Sequence, residues 1–495
     1  MGYHSYLSCD EVPDMRERRA VGSPIVCALA AGRGGPMDQR TPRRILMVSI
    51  HGYVSREPEL GLPDTGGQVV YVLKLSEALA RRGYAVDIMT RQFEAQAPIE
   101  PVSERVRIVR IPGGGPELVR KEWMCEVIPE WVTNAERFIR ASGLTYDVID
   151  SHYWDGGMGA DGLARRLGVV HVHTPHSLGA WKRDNMAGDP ATLERQYNFS
   201  RRIREEQAIY RAADVVIATT PQQREILRQS EYGVPAQKIA VVPPGFDETR
   251  FFPVPPAIRR ALKQRIGVDG PLILALGRVA ANKGYDLLLR ALPTVLVRVP
   301  DATLLLAVGS TGPTPGEMRQ VDDLRRLAVE LGVADRVLFR DYVPDELLAD
   351  TYRAADVFAL SSRYEPFGMT AIEAMACGTP TVITTQGGLW EMLTWGAEML
   401  YANPLDPEAF GHAIATVLLY PSVATQLSRL GSGRVRSSFT WYGIADQLVK
   451  LPQVAVHLDA VRDPRPDAGQ ANGPRAEATV GSRRRDNAWT PFASS

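Results

Sequence analysis

What constrains this chain most is a pattern repeated along it: a short, continuous run of Val, Ile and Leu, then a longer stretch with apolar residues at helical spacing. The first series runs RILMVSI (44–50), VVYVLKLSEALARRG, AVDIMT, RVRIVRI, YDVIDSH, VVHVHTP, VVIATT and IAVVPPG. A second opens at PLILALG (271–277) and continues through YDLLLRALPTVLVR, ATLLLAVG, DDLRRLAVELG, RVLFRDYV, ADVFALSS, TAIEAMACG and PTVITT. Strands that are apolar throughout, rather than alternating, belong in parallel sheets covered by helices on both faces. Two series therefore predict an α/β protein of two doubly wound, Rossmann-like domains.

The join falls near Gly245 to Pro256, where PPGFDETRFFPVPP has the proline and aromatic content of a linker. The expected organisation is an N-terminal domain over 41–245, a C-terminal domain over 246–439, and a helix at about 440–451 (WYGIADQLVKL) that returns to the first. Residues 1–40 lack periodicity and read as a disordered leader, with Met37 the expected initiator; 452–495 read as a disordered tail. At 45% hydrophobic the 495 residues can fill two cores. Lys plus Arg equals Asp plus Glu at 57 each, so no overall field draws the chain to nucleic acid or an anionic membrane. The four cysteines, Cys9, Cys27, Cys125 and Cys377, show no paired or metal-type spacing, which suits a reducing compartment. With no apolar run near the ~18 residues of a membrane span, the expected location is the cytoplasm.

Open α/β sheets bind ligands beyond the carboxyl ends of their strands, so two such sheets facing each other predict a site in the cleft between them. The residues at those ends carry chemistry. SRYEPFGMTAIEAMACGTP (362–380) holds two carboxylates, Glu365 and Glu373, eight residues apart, and the upstream loop GRVAANKG (277–284) holds two cations, Arg278 and Lys283, five apart. Glycoside hydrolases also use two carboxylates, but theirs lie roughly 5 to 9.5 Å apart. Eight helical residues span about 12 Å, and more if Glu365 is extended before Pro366. The pair thus suits opposite ends of an elongated ligand, with the helix N-terminus near Phe367 to Thr370 offering N–H groups between them. Two solvated glutamates on a surface helix are the bland alternative. An unpaired charge within the apolar run AIEAMA would be costly, which weighs against it.

In the first series, the loop after RILMVSI carries Asp64, Thr65, Gly66, Gly67 and Gln68 directly before a helix, a place where backbone can approach an oxyanion. The spacing does not fit G-x-G-x-x-G, so a dinucleotide fingerprint is absent. HVHTPHSLGAWKR puts His171 and His173 on one strand face and His176 just beyond it. A metal site there is disfavoured, because no Asp, Glu or Cys nearby supplies a further ligand and the Thr-Pro break turns the chain before His176. His176, Ser177, Lys182 and Arg183 suit a sugar and its phosphate instead. SHYWDGG places His152 and Tyr153 at another strand end, where an aromatic cap over the sheet is the plain alternative. No D-x-D triplet occurs, so the usual acidic pair for a nucleotide-bound metal is missing and cations must do that work.

From Ile45 to about Leu451 the chain resembles the retaining glycosyltransferases of GT-B fold in the sucrose synthase and sucrose-phosphate synthase group. The likeness rests on HGYV, PDTGGQVVYVL, SHYWD, HTPHSLG, IATTP, VVPPGFDETRFFPV, NKGYDLL and SSRYEPFGMTAIEAMACGTPTV. It implies transfer of a hexose from a nucleotide sugar to fructose 6-phosphate with retention, GDP-mannose being the favoured donor and UDP- or ADP-glucose the alternative. On that resemblance Arg278 and Lys283 hold the donor diphosphate, Glu373 the ribose, Glu365 with the backbone of Phe367, Gly368 and Met369 the transferred hexose, and Gly67 approaches the diphosphate from the other domain. Gly66, Gln68, Lys121, Tyr153, Ser177 and Lys182 correspond to the acceptor side, with further phosphate contacts from Arg201, Arg202 or Arg204, and His176 touches the donor sugar near the reacting centre. It further implies no required metal, with magnesium at most stimulatory, and a separate phosphatase acting on the product. A reading of another class is a non-catalytic sugar-phosphate sensor on the same scaffold.

Overall fold

The computed structural model describes residues 42–58, 64–186, 188–229, 231–310 and 312–459. The leader read over 1–40 and the tail from 460 onward lie outside them, as do Cys9 and Cys27. Eight strands form the first sheet: β1 (Arg44–Val48), β2 (Ala85–Gln92), β3 (Ile99–Pro101), β4 (Val106–Pro112), β5 (Val148–His152), β6 (Val170–Thr174), β7 (Val215–Ala218) and β8 (Ile239–Val241). Their order is β3-β4-β2-β1-β5-β6-β7-β8, and only the edge pair β3 and β4 is antiparallel. Six strands form the second: β9 (Leu272–Gly277), β10 (Thr303–Val308), β11 (Val337–Arg340), β12 (Val357–Leu360), β13 (Thr381–Thr384) and β14 (Leu400–Ala402). They run β11-β10-β9-β12-β13-β14, all parallel. This is the GT-B arrangement of two parallel-sheet α/β domains.

Each sheet is buried on both faces, which is why its strands read as unbroken apolar runs. Ile45, Met47 and Ile88 point into one core with the helix Gly67–Arg81, while Leu46, Val48 and Met89 point into another with Trp131. In the second sheet Leu272 and Leu274 share one cluster, and Ile273 and Ala275 the opposite one.

The order reverses between β1 and β5 in the first sheet and between β9 and β12 in the second. At such a switch point the connections leave in opposite directions and open a crevice at the carboxyl ends. The chain leaving β1, β5, β9 and β12 leads to Gly67 and Tyr153, each the first residue of a helix, and to Arg278 and Glu365 in loops.

Two crossings between the domains lie side by side, the Phe246 amide donating to the Phe439 carbonyl at 2.8 Å. After the second, the helix Trp441–Val449 packs against Gly67–Arg81, burying Trp441, Ile444 and Leu448 in the first domain's core. Truncating a buried tryptophan of this kind costs about 3–5 kcal/mol. The fold continues past residue 451, where the tail was expected to begin: Pro452–Asp459 is helical, with Val454 and Leu458 in the same core. Only two of its residues enter the core, too sparse a pattern to mark a helix in the sequence. Among the described residues no helix is long and apolar enough to cross a membrane, and Cys125 and Cys377 are buried free thiols.

Candidate active site

A cavity of about 520 Å³ opens between the two switch points, lined by both domains. Arg278, Lys283, Glu365, Phe367, Gly368, Met369 and Glu373 line it from the second domain. Gly66, Gly67, Gln68, Lys121, Tyr153, His176, Ser177 and Lys182 line it from the first. The residues that the motifs singled out for the donor and acceptor therefore reach one cavity, apart from the arginines of RRIREE and Arg183, which pairs with Asp184 at the surface.

Two helix N-termini converge there. Gly67–Arg81 and Met369–Ala376 each start after a glycine, Gly66 and Gly368, that offers no capping side chain. Their first N–H groups are left for a ligand's oxygens, where both helix dipoles favour negative charge. The chains approach closely: a Cβ on Gly67 would lie 3.6 Å from the Met369 sulfur, and one on Gly66 would lie 3.6 Å from the Arg278 guanidinium carbon. Gly368 has φ 109°, a conformation that a side chain would strain, and it turns the chain abruptly from Glu365 into the helix. Glu365 is thus not helical. It pairs in parallel with Gly387 beside the sheet, so the two carboxylates are set apart by a turn as well as by the helix.

Lys283 Nζ lies 2.7 Å from Glu365 Oε2, which also accepts from Ser362 Oγ at 2.9 Å. Arg278 is exposed in the cleft. Glu373, inside the apolar run, accepts a hydrogen bond from the Tyr352 hydroxyl at 2.9 Å. Burial pushes its carboxyl up to about 7, with that hydroxyl and Arg250 pulling the other way.

On the opposite wall Lys121 is paired with Asp64 and, at 3.1 Å, with Glu122. Burial alone would favour its neutral form, but these carboxylates hold its proton more tightly than usual. Lys182 differs. Its ammonium sits 4.3 Å above the Tyr197 ring, and burial followed by the nearby Arg202, Lys121 and Arg278 charges lowers it to about 7. An anion arriving here would restore the lysine's charge as it binds.

Of the three arginines read for the acceptor phosphate, Arg201 pairs with Glu205 at the surface and Arg204 is exposed. Neither lines the cavity. Arg202 is buried behind its wall, bound to Glu206 at 2.7 Å, to the Tyr153 hydroxyl at 2.9 Å and to the Ser177 carbonyl at 2.5 Å. It braces two lining residues, Tyr153 and Ser177, from behind. The helical register of Phe199–Ala212 decides this, turning Arg202 and Glu206 inward together.

Sequence reasoning missed His51, whose ring nitrogen lies 2.9 Å from the buried Asp155. Also missed was Tyr364, whose hydroxyl meets Ser177 Oγ at 3.2 Å across the cleft and whose ring contacts Trp181. Both line the cavity. HGYV and SRYEP flagged the segments, but nothing local ties His51 to a partner 104 positions away. His171 and His173 both face Ser151 Oγ, at 2.7 and 2.8 Å, inside the sheet. Among the described residues no group of three or more His, Cys, Asp or Glu is arranged to hold a metal ion.

The "Glycosyl transferases group 1" profile matches residues 259–432, and "Glycosyltransferase Family 4" matches 65–250. Mannosylfructose-phosphate synthase of Agrobacterium fabrum is 48% identical over 84% of this chain and 93% of its own length. The chain belongs to the group 1 glycosyl transferases. A second relative in the family's range is the D-inositol 3-phosphate glycosyltransferase of Xylanimonas cellulosilytica, 38% identical over 76% of this chain and 88% of its own. Among solved structures, sucrose-phosphate synthase from Thermosynechococcus elongatus superposes with a TM-score of 0.71 at 31% identity, covering 83% of this chain and 98% of that one. Within the group 1 glycosyl transferases, the chain and its quoted motifs resemble mannosylfructose-phosphate synthase.

Proposed function

We propose that this glycosyltransferase moves a hexose from a nucleotide sugar to fructose 6-phosphate with retention at the anomeric carbon, the favoured donor being GDP-mannose. The carrying observation is that both domains bring cations to the cavity: Arg278 and Lys283 from the second, and Lys121 and Lys182 from the first, with two helix N-termini among them. A nucleotide sugar brings a diphosphate and a sugar phosphate brings another anion, so each has a seat. The names of all three relatives contain a phosphorylated sugar or polyol, which suits the second seat. The 48% identity favours mannose; the sucrose-phosphate synthase likeness supports UDP- or ADP-glucose as the second reading.

In this reading Glu365 and the backbone from Phe367 to Met369 hold the transferred hexose, Glu373 accepts from the ribose hydroxyls, and His176 stands near the reacting carbon. The bond from that carbon to the diphosphate oxygen breaks as the acceptor hydroxyl oxygen bonds to the same face. The hydroxyl's proton passes to the departing phosphate oxygen, so no protein nucleophile is needed. Arg278, Lys283 and the N–H groups at Gly67 neutralise the charge that develops, a kind of contribution that is often the largest in a site. Lys283 carries three N–H donors and so serves Glu365 and a phosphate oxygen together.

Three results are expected. Lys121→Ala and Lys182→Ala raise the KM for fructose 6-phosphate with little change in donor affinity, as lost uniform binding does. In the native protein that KM also climbs as the pH passes above about 7, because Lys182 sheds its charge there, whereas Lys182→Arg stays charged and abolishes the climb. Loss of donor affinity with unchanged acceptor behaviour would mean the two walls are assigned backwards. Initial velocity persists after exhaustive EDTA treatment, since cations and backbone N–H groups need no ion in place, and magnesium raises it modestly by binding nucleotide product. Complete loss restored only by metal would contradict this and direct attention to HVHTPH.

The experiment for the reaction itself is NMR of the product formed from GDP-mannose and fructose 6-phosphate. An anomeric configuration matching the donor supports the reading, and an inverted one ends it. Because that product keeps a phosphate, a separate phosphatase is the expected partner downstream.

A further inference from the structure

The transfer chemistry leaves a buried carboxyl group of the first sheet unused. Asp150, in the middle of β5, is 1% exposed, and among the described residues neither of its carboxylate oxygens has a hydrogen-bond partner. His152 on the same strand is fully buried, and its Nε2 is likewise without one. These two orphans face each other, Asp150 Oδ2 lying 3.6 Å from His152 Nε2. That is just beyond a hydrogen bond, and a closure of about half an ångström would satisfy both groups, each costly to leave unpaired. The other nitrogen of His152, Nδ1, is 3.1 Å from His176 Nε2. His176 lines the cavity, and its remaining nitrogen, Nδ1, is the one left for a ligand.

We infer that Asp150 is a positioning residue: acting through His152, it decides whether His176 offers substrate an N–H donor or a lone pair. The chain Asp150–His152–His176 has one proton to place at each link. When the carboxyl is protonated it donates to His152 Nε2, so His152 Nδ1 carries its proton and donates to His176 Nε2. His176 then bears its own proton on Nδ1 and is a donor toward the sugar. When the carboxyl is ionised, every link reverses, and His176 Nδ1 becomes an acceptor.

Both imidazoles remain neutral throughout. Burial, and then His51, hold His176 down to about 3, while burial with His176 and His173 holds His152 well below its usual value. Burial pushes the Asp150 carboxyl up to about 8, so near neutral pH the donor form prevails. The titratable groups facing the chain are Tyr71 from the helix Gly67–Arg81, His173 from β6, and His51, itself paired with Asp155. The Tyr71 ring packs on both His152 and His176, with centroids 5.6 and 4.8 Å away, which holds the two imidazoles in register.

This inference rests on the cavity being the transfer site, but its test does not. Ring-15N NMR of the histidine-labelled full chain reports tautomers directly, with His176→Gln assigning the signal. In the native protein His152 and His176 are expected to exchange tautomers together between about pH 6.5 and 9.5, around the carboxyl's value. In Asp150→Asn, which cannot titrate, both keep one tautomer, and the corresponding limb of the kcat profile disappears while donor KM stays within about twofold. Fixed tautomers in the native protein would overturn the inference, and that arm needs no variant to fold. Persistence of the exchange in Asp150→Asn would overturn it equally. A tautomer exchange without hexosyl transfer would fault the proposed reaction and leave the relay standing; transfer with fixed tautomers would do the reverse.

Discussion

Arg278→Ala and Lys283→Ala are each expected to lower kcat by about 100-fold or more, the scale on which one donor to a developing oxyanion acts. Arg278 is exposed in the cleft beside Gly66, and Lys283 is tied to Glu365 at 2.7 Å, so neither side chain holds up a core. Their truncation should leave the fold intact and strip charge from the place where the leaving diphosphate gains it. The loss belongs in kcat more than in donor KM, because the interaction strengthens as the bond breaks. Lys283→Ala also leaves Glu365 with Ser362 as its partner, so the hexose end should loosen and its effect should exceed that of Arg278→Ala. Steady-state kinetics on both variants checks this. Near-normal turnover in both would remove the proposed role.

The second large effect is on stability. Arg202 and Glu206 form an ion pair with both side chains 3% exposed or less, and Arg202 also holds the Tyr153 hydroxyl and the Ser177 carbonyl. Arg202→Ala strands a carboxylate in the interior, which costs about 3–5 kcal/mol. The neighbouring Arg201→Ala removes a half-exposed pair and should cost under about 1 kcal/mol. Urea unfolding followed by tryptophan fluorescence compares the two midpoints. Equal midpoints would show that the buried pair is not what braces the acceptor wall.

That contrast also marks how far the sequence could be read. The strands from RILMVSI to PTVITT were legible because both faces of each sheet are covered, leaving unbroken apolar runs. The edge strands Ile99–Pro101 and Leu400–Ala402 were not: each is three residues long, and neither falls in a Val- and Ile-rich run like the IAVV around the equally short Ile239–Val241. The positions that share the cavity were legible wherever the switch-point loops concentrate them in short motifs, as with Glu365 and Glu373 or Gly66 to Gln68. What stayed hidden depends on distant packing. RRIREE offers three arginines for a phosphate without deciding among them, and only tertiary contact turns Arg202 inward. Asp150 and His152 share a face of β5 by simple alternation, but the meeting of His152 with His176, beyond β6, requires β5 and β6 to be paired in register, Ser151 opposite His173. The depressed charge on Lys182 is likewise a consequence of burial and of three cations from other elements.

The central claim, hexosyl transfer between a nucleotide sugar and fructose 6-phosphate, is tested most directly by initial velocities over a matrix of donors and acceptors. GDP-mannose, UDP-glucose and ADP-glucose are crossed with fructose 6-phosphate, unphosphorylated fructose and inositol 3-phosphate. Turnover is expected to require a phosphorylated acceptor and to be greatest for GDP-mannose with fructose 6-phosphate. Binding of both substrates without turnover in any combination, as a sugar-phosphate sensor would give, or equal rates with free fructose, would contradict it.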